Sequence, residues 1–417
     1  MKSLKLPFLF VSVLCLACSD DEDASTSNAP DLRPLSGEAT ALVESNNQFA
    51  LDIFREVHRE TPAENVFVSP LSVDIALHMT ANGAKGTTHT EIKQTLGVAD
   101  LSDEEVNRAV RDLTAQLVSM DRKIILAMAN SIWLRDIFTL KDGFADLIQT
   151  YYKGRIEALD FDRPETRDRI NGWVEDQTQG KIKNLLEEIE DTDVMFLINA
   201  IYFKADWQYR FDPAQTQEAP FYLEDGSEVV VPMMFSEGVK LRQYYDEQRQ
   251  LIDIPYGNGQ FSFVVLLPNP TAGSVAEAAG QLNADDLNRW LAEADTLTPQ
   301  LYLPKFKTSY KMNLSDPLIN LGMKRPFDQN ADFSRFFNEV DSGLYIDRVI
   351  HQAFIEVNET GSEAAAATAV AVSALSSVSE PQPLSVRIDR PFVYFIRERH
   401  TQAILFAGTM MSPSQSP

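Results

Sequence analysis

Apolar residues recur at helical spacing in some stretches of this chain and alternate or run together in others. Residues 38–60 carry Leu42, Phe49, Ile53, Phe54 and Val57 on one helical stripe, which predicts an amphipathic helix. Residues 71–82 are more uniformly apolar and read as a buried helix, with a shorter one over 88–96. Ser102, with Glu105 three residues on, forms a capping-box signature for a helix running toward Met120. Residues 124–134 and 194–203 read as strands, the second buried on both faces. Between them, 164–179 is an amphipathic helix holding Ile170, Trp173 and Val174 and closed by Gly180. Residues 219–267 are strand-rich, with turns expected at Gly226, Pro232, Gly257 and Gly259. A loop over 268–273, a helix over 274–293 and strands over 300–307 and 345–357 follow. Strands and helices mix without a strict βαβ alternation, so the fold class is α+β. No internal repeat is visible, and no Pro/Ser/Gly-rich linker interrupts residues 40–412, which predicts one large domain spanning 39–413.

One stretch fits neither pattern. From Ala364 to Val378 there is no charge, no proline and no glycine, although exposed loops are normally punctuated by such residues. The run Ala364-Ala365-Ala366-Ala367 suits a helix, while the alternating Ala and Val after Thr368 suit a strand. With period two, one face carries Ser362, Ala364, Ala366, Thr368, Val370, Val372 and Ala374, all small and uncharged, and Glu363 falls on the other face. Such a segment can live as a loop and also fit between two strands, which makes it a candidate conformational switch.

Composition narrows the function. The 61 acidic against 37 basic residues give a net charge of −24, which argues against nucleic acid and heparin-like polyanions as partners. The acidity is spread along the chain and reads as solubility rather than as a docking site. The two cysteines are Cys15 and Cys18, so the folded body has no disulfide and no thiol chemistry. Residues 1–18 read as a secretory signal: Lys2 and Lys5 precede a short apolar run that is too short for an ordinary membrane span. Its end, Leu14-Cys15-Leu16-Ala17-Cys18, resembles a bacterial lipoprotein box with Cys18 as the lipidated residue, apart from Cys15 where leucine is usual. The alternative is a plain cleaved signal. Residues 19–38 are polar and acidic and read as a disordered tether, which together with the signal predicts a location outside the cytoplasm.

No catalytic constellation emerges. The histidines His58, His78, His89, His351 and His400 form no His-x-x-x-His or His-Glu-x-x-His pair, so no metal site is expected. There is no Gly-x-Ser-x-Gly elbow, phosphate-binding loop or dinucleotide fingerprint, and no cofactor is implied. Asp341-Ser342-Gly343 reads as a turn. His351 lies in a strand and reads as a hydrogen-bonded core histidine, and Trp207 as a core tryptophan.

The segment Glu359-Thr360-Gly361-Ser362-Glu363-Ala364-Ala365-Ala366-Ala367-Thr368 resembles the hinge of an inhibitory serpin. Further motifs agree in order: Asn65-Val66-Phe67-Val68-Ser69-Pro70-Leu71-Ser72, Asn199-Ala200-Ile201-Tyr202-Phe203-Lys204 before Trp207, Leu303-Pro304-Lys305-Phe306, and Val386 to Ile396 with Arg390-Pro391-Phe392. The resemblance implies three β-sheets with about nine helices and an exposed reactive-centre loop over about 359–385. It implies a suicide substrate for a serine protease, or for a cysteine protease, rather than an enzyme, and a monomer. By the same resemblance Ser69, Ser72, Asn199 and His351 form a shutter under the main sheet. Trp207, Lys305 and Glu359 form the breach where the loop enters, and the helix over 164–179 crosses that sheet.

Counting forward from Glu359 by the family's spacing puts the scissile bond at Leu375-Ser376. Counting back from Pro391 gives Glu380-Pro381, which a proline after the cut disfavours; Val372 and Val378 are alternative cut sites. No Lys or Arg occurs from Ala364 to Val386, so the expected targets are chymotrypsin-, elastase- or subtilisin-like. The rival expectation is a non-inhibitory serpin acting as a carrier, chaperone or storage protein. The small inward face of the hinge favours inhibition, because a bulky or charged residue there would block insertion.

Overall fold

The computed structural model describes residues 32–137, 139–337, 344–362 and 384–414. Nine α-helices lie among them: α1 (Gly37–Glu60), α2 (Pro70–Ala81), α3 (Gly86–Thr95), α4 (Asp103–Ser119), α5 (Phe144–Tyr152), α6 (Pro164–Gln177), α7 (Val275–Gln281), α8 (Ala284–Glu293) and α9 (Ser315–Asn320). Local chemistry fixes several of their starts. The Ser36 side chain accepts the Ala39 N–H ahead of α1, and Ser102 and Glu105 form the expected reciprocal capping box of α4. Helix α1 begins ahead of the expected domain start at residue 39, and the Arg33 carbonyl accepts hydrogen bonds from Gln116 and His400.

The strands form three sheets, as the resemblance implied. A six-stranded sheet runs β12 (Phe306–Asn313), β13 (Arg348–Val357), β14 (Gly361–Ser362), β4 (Met195–Asp206), β2 (Ile125–Arg135) and β3 (Arg155–Leu159). A seven-stranded sheet runs β1 (Val66–Val68), β17 (Ile404–Met410), β16 (Phe392–Glu398), β9 (Phe261–Pro268), β8 (Arg249–Pro255), β7 (Leu241–Tyr245) and β10 (Asp295–Leu297). The third has four strands, β15 (Ser385–Arg387), β11 (Gln300–Pro304), β6 (Glu228–Ser236) and β5 (Gln217–Tyr222).

Strand periodicity divides the core. Ile132, Leu134, Leu197, Ile201 and Val349 point into the main core, while Trp133, Phe196, Ile198 and Ile350 point to the opposite face of the six-stranded sheet. There Ile170 and Val174 of α6 pack on them, so the amphipathic helix crosses this sheet as expected. Asn130, Asn199 and His351, each next to a residue of that opposite face, are thereby turned toward the main core and α2. Among the described residues no helix is long and apolar enough to cross a membrane.

The structure corrects three expectations. The helix expected over 274–293 is two helices, because Asn283 turns extended and caps α8 by accepting the Asp286 N–H. The strand expected over 300–307 breaks at Lys305, where the chain leaves the four-stranded sheet for the six-stranded one. Pro232 is not a turn but lies inside β6, opposite Glu218 of β5 and just before the stretch that pairs with β11 begins at Met233. Gly226, Gly257 and Gly259 do adopt the positive φ expected of turns.

Candidate functional site: a strand slot in the six-stranded sheet

Strands β13 and β4 run parallel and pair directly from Arg348 opposite Phe196 to Phe354 opposite Tyr202. Above that point they part, and β14 fills the gap. Ser362 lies opposite Val357 on one side and Ala205 on the other, antiparallel to both strands. The chain enters this slot through a tight turn. The Asn358 side chain accepts the N–H groups of Thr360 and Gly361, and the Asn358 N–H reaches the Gly361 carbonyl at 2.9 Å. Gly361 is required here, since a Cβ would run into the Ala205 carbonyl oxygen.

The expected breach residues meet at the mouth of this slot. Trp207 donates its indole N–H to the Asn358 carbonyl at 2.8 Å and its backbone N–H to Thr360 at 2.8 Å. Lys305 pairs with Glu359 at 2.8 Å, and Thr216 donates to the same carboxylate at 2.8 Å. The break between β11 and β12 is what aims Lys305 here. Glu359 is 8% exposed, so the pair is more protected than a free surface ion pair. Burial alone would raise the Glu359 carboxyl, but the hydrogen bonds from Lys305 and Thr216 and the lysine's charge hold it below the usual range.

Below the slot a polar row crosses the intact part of the sheet. His351, Asn199 and Asn130 stand opposite one another on β13, β4 and β2. His351 Nδ1 meets Asn199 Oδ1 at 2.5 Å, and its Nε2 accepts the Ser69 backbone N–H at 3.1 Å. A backbone amide can only donate, so Nε2 is unprotonated and Nδ1 carries the proton. Asn199 Nδ2 donates to Ser72 Oγ and, at 2.5 Å, to Asn130 Oδ1, which also takes the Ser72 hydroxyl at 3.3 Å. Ser69 caps α2 and donates its hydroxyl to Leu405 of β17 at 2.8 Å. The four expected shutter residues thus form one buried network with α2 as its base.

Sequence reasoning did not single out Asn130, Asn358, Thr216 or Tyr256. A signal existed for Asn130, an amide that follows the apolar run Ile125–Ala129 within one strand. The expected hinge residues Ala364, Ala365, Ala366, Ala367 and Thr368, the reactive bond Leu375-Ser376 and the lipidation residue Cys18 lie outside the described residues. Among the described residues no group of three or more His, Cys, Asp or Glu is arranged to hold a metal.

The family model for the serpins, described as serine protease inhibitors, matches residues 44–413. The chain belongs to the serpin family. It is 33% identical over 383 residues to the leukocyte elastase inhibitor of Sus scrofa, covering 89% of this chain and 99% of that protein. It is 32% identical over 396 residues to human serpin B11, covering 89% of this chain and all of that one. Among solved structures, the native state of the thermophilic serpin tengpin superposes with a TM-score of 0.81 at 31% identity, covering 92% of this chain and 97% of that one. Human thyroxine-binding globulin complexed with thyroxine gives 0.81 at 28% identity, covering 90% and 99%. The family thus includes both a named protease inhibitor and a named hormone binder among this chain's relatives.

The network predicts a pH dependence. Burial lowers the His351 pKa from 6.5 to about 3. Between these values the unfolded chain binds a proton that the folded chain refuses, so stability falls as pH drops below about 6.5, by about 1.4 kcal/mol per pH unit, and is unaffected by this group above it. Relative to the parent, His351→Gln is expected to be less stable at pH 7.5 but to lose less on going to pH 5. Urea titrations at both pH values check this; parallel pH profiles would refute it.

Proposed function

We propose that the chain is a suicide-substrate inhibitor of serine proteases with apolar primary specificity. The observation that carries this reading is the slot: Gly361 and Ser362 of the hinge already form a strand there, Ser362 lying between β13 and β4 and antiparallel to both. The protease serine Oγ attacks the Leu375 carbonyl carbon, and the bond to the Ser376 nitrogen breaks. The proton from the serine passes through the protease's own base to the departing amine, leaving an ester. The freed strand then extends β14 down the slot, carrying the ester-linked protease away from the site of attack.

The register supports this course. His351 is six residues before Val357, Asn199 six before Ala205, and Thr368 six after Ser362. Extending β14 in register therefore brings Thr368 between His351 and Asn199. A hydroxyl both donates and accepts, so it can replace the bond those two lose when the strands part. Ala364, Ala366, Val370 and Val372 share the inward face of Ser362 and add no charge.

A second reading, a carrier, draws support from the likeness to thyroxine-binding globulin. The hinge separates the two, because nothing on its inward face resists burial. Incubation with chymotrypsin, pancreatic elastase and subtilisin is expected to give denaturant-resistant covalent complexes that release a peptide beginning at Ser376. Trypsin should not be trapped efficiently. Ala366→Arg or Thr368→Arg should raise the stoichiometry of inhibition by about tenfold or more, since the charge would need burial. Unchanged stoichiometry would refute insertion.

Cleavage within the loop is expected to raise the melting midpoint by roughly 10 °C or more, as a new central strand gains backbone hydrogen bonds at about 1 kcal/mol each. Ordinary loop nicking is neutral or destabilising, and an unchanged midpoint would favour the carrier.

For location, we infer attachment to a membrane outside the cytoplasm through lipid on Cys18. Cys18→Ser should release the protein from membranes, and an unmodified mature N-terminus by mass spectrometry would reject the anchor.

A further inference from the structure

Ser362 is fully buried, and its hydroxyl lies 2.6 Å from the Tyr256 hydroxyl. Tyr256 is itself fully buried and sits between β8 and β9. Its ring stacks on Trp207 with centroids 4.4 Å apart and planes 7° from parallel, and Phe203 meets it edge-on at 5.6 Å. Trp207 in turn holds the hinge turn through the Asn358 and Thr360 carbonyls. A single aromatic stack therefore grips the hinge on both sides of its turn. Burial pushes the Tyr256 phenol well above its ordinary range, so it stays protonated and able to donate.

We propose that Tyr256 is a positioning residue that keeps Gly361 and Ser362 seated in the sheet of the uncleaved chain, and so sets how soon insertion begins after cleavage. The kinetic part rests on the inhibitory reading above. A buried hydroxyl without a partner is costly, so losing the phenol favours withdrawal of Ser362 to solvent. A seated hinge supplies the first rung of the new strand in advance; an unseated one must re-enter first, while the ester has time to hydrolyse.

The test uses the full chain and three variants: Tyr256→Phe, Ser362→Ala and the double variant. Hydrogen–deuterium exchange across residues 358–362 of the uncleaved protein is the direct readout. Exchange is expected to quicken about five- to tenfold in Tyr256→Phe, with the double variant clearly less affected than the two singles combined, as coupling through one bond requires. Gly361→Ala, which unseats the hinge by collision with Ala205 and leaves Tyr256 intact, should reproduce the effect. The stoichiometry of chymotrypsin inhibition should rise in both Tyr256→Phe and Gly361→Ala. Unchanged exchange in Tyr256→Phe, or strictly additive effects in the double variant, would overturn the assignment. Faster exchange with unchanged stoichiometry would overturn the kinetic part. If no variant and no parent protein traps any protease, faster exchange still supports the seat, and the inhibitory reading is what falls.

Discussion

The contact between His351 and Asn199 sits where two parallel strands hold together and where, under the proposed function, they come apart. On either side of it the attachments differ. Asn199 is tied to Asn130 of β2 and Ser72 of α2, whereas His351 is tied to the Ser69 amide. In the proposed cycle β13 and β4 separate, and the bond between His351 and Asn199 must break. A neutral imidazole suits this place. A protonated one would set a second proton against the Ser69 amide and carry a charge into a fully buried site.

For the proposed insertion, strand direction adds a driving force. The seam between β13 and β4 is parallel, and the entering strand is antiparallel to both. Insertion replaces one slanted parallel ladder with two straight antiparallel ones, which are the better bonded arrangement per residue. Because Ser362 is joined to Val357 by a four-residue turn, the strand grows as a hairpin and does not have to close a long loop first.

Much of this was legible in the sequence, for identifiable reasons. Helices with a clean apolar stripe or a capping box, such as α1, α4 and α6, announce themselves because the pattern is local. The small-residue face of the hinge is local too. The break at Asn283 was also written in the chain, as a capping residue ahead of Asp285 and Asp286, but the surrounding helical pattern masked it. What could not be read were roles that arise from register. Asn130 matters because it lies opposite Asn199, and Tyr256 because a turn after β8 delivers it beneath Ser362. Neither juxtaposition has a trace in nearby residues. Pro232 misled because proline is a turn former in general, yet tolerable in β6 just outside the Met233–Ser236 stretch paired with β11, where its carbonyl can still accept the Lys305 N–H.

The far end of the loop is fastened by the last part of the chain. β15 lies beside β11 in the four-stranded sheet, and β16 and β17 fill the middle of the seven-stranded one. All three come after the hinge in chain order, so a ribosome delivers the slot and the hinge before the strands that fasten the chain beyond it. Under the proposed insertion, the active conformation then depends on residues 385–410 docking before the hinge segment adds to the sheet of the nascent chain. The metastability that the proposed function requires is on this account a matter of timing during biosynthesis as much as of the contacts in the finished protein.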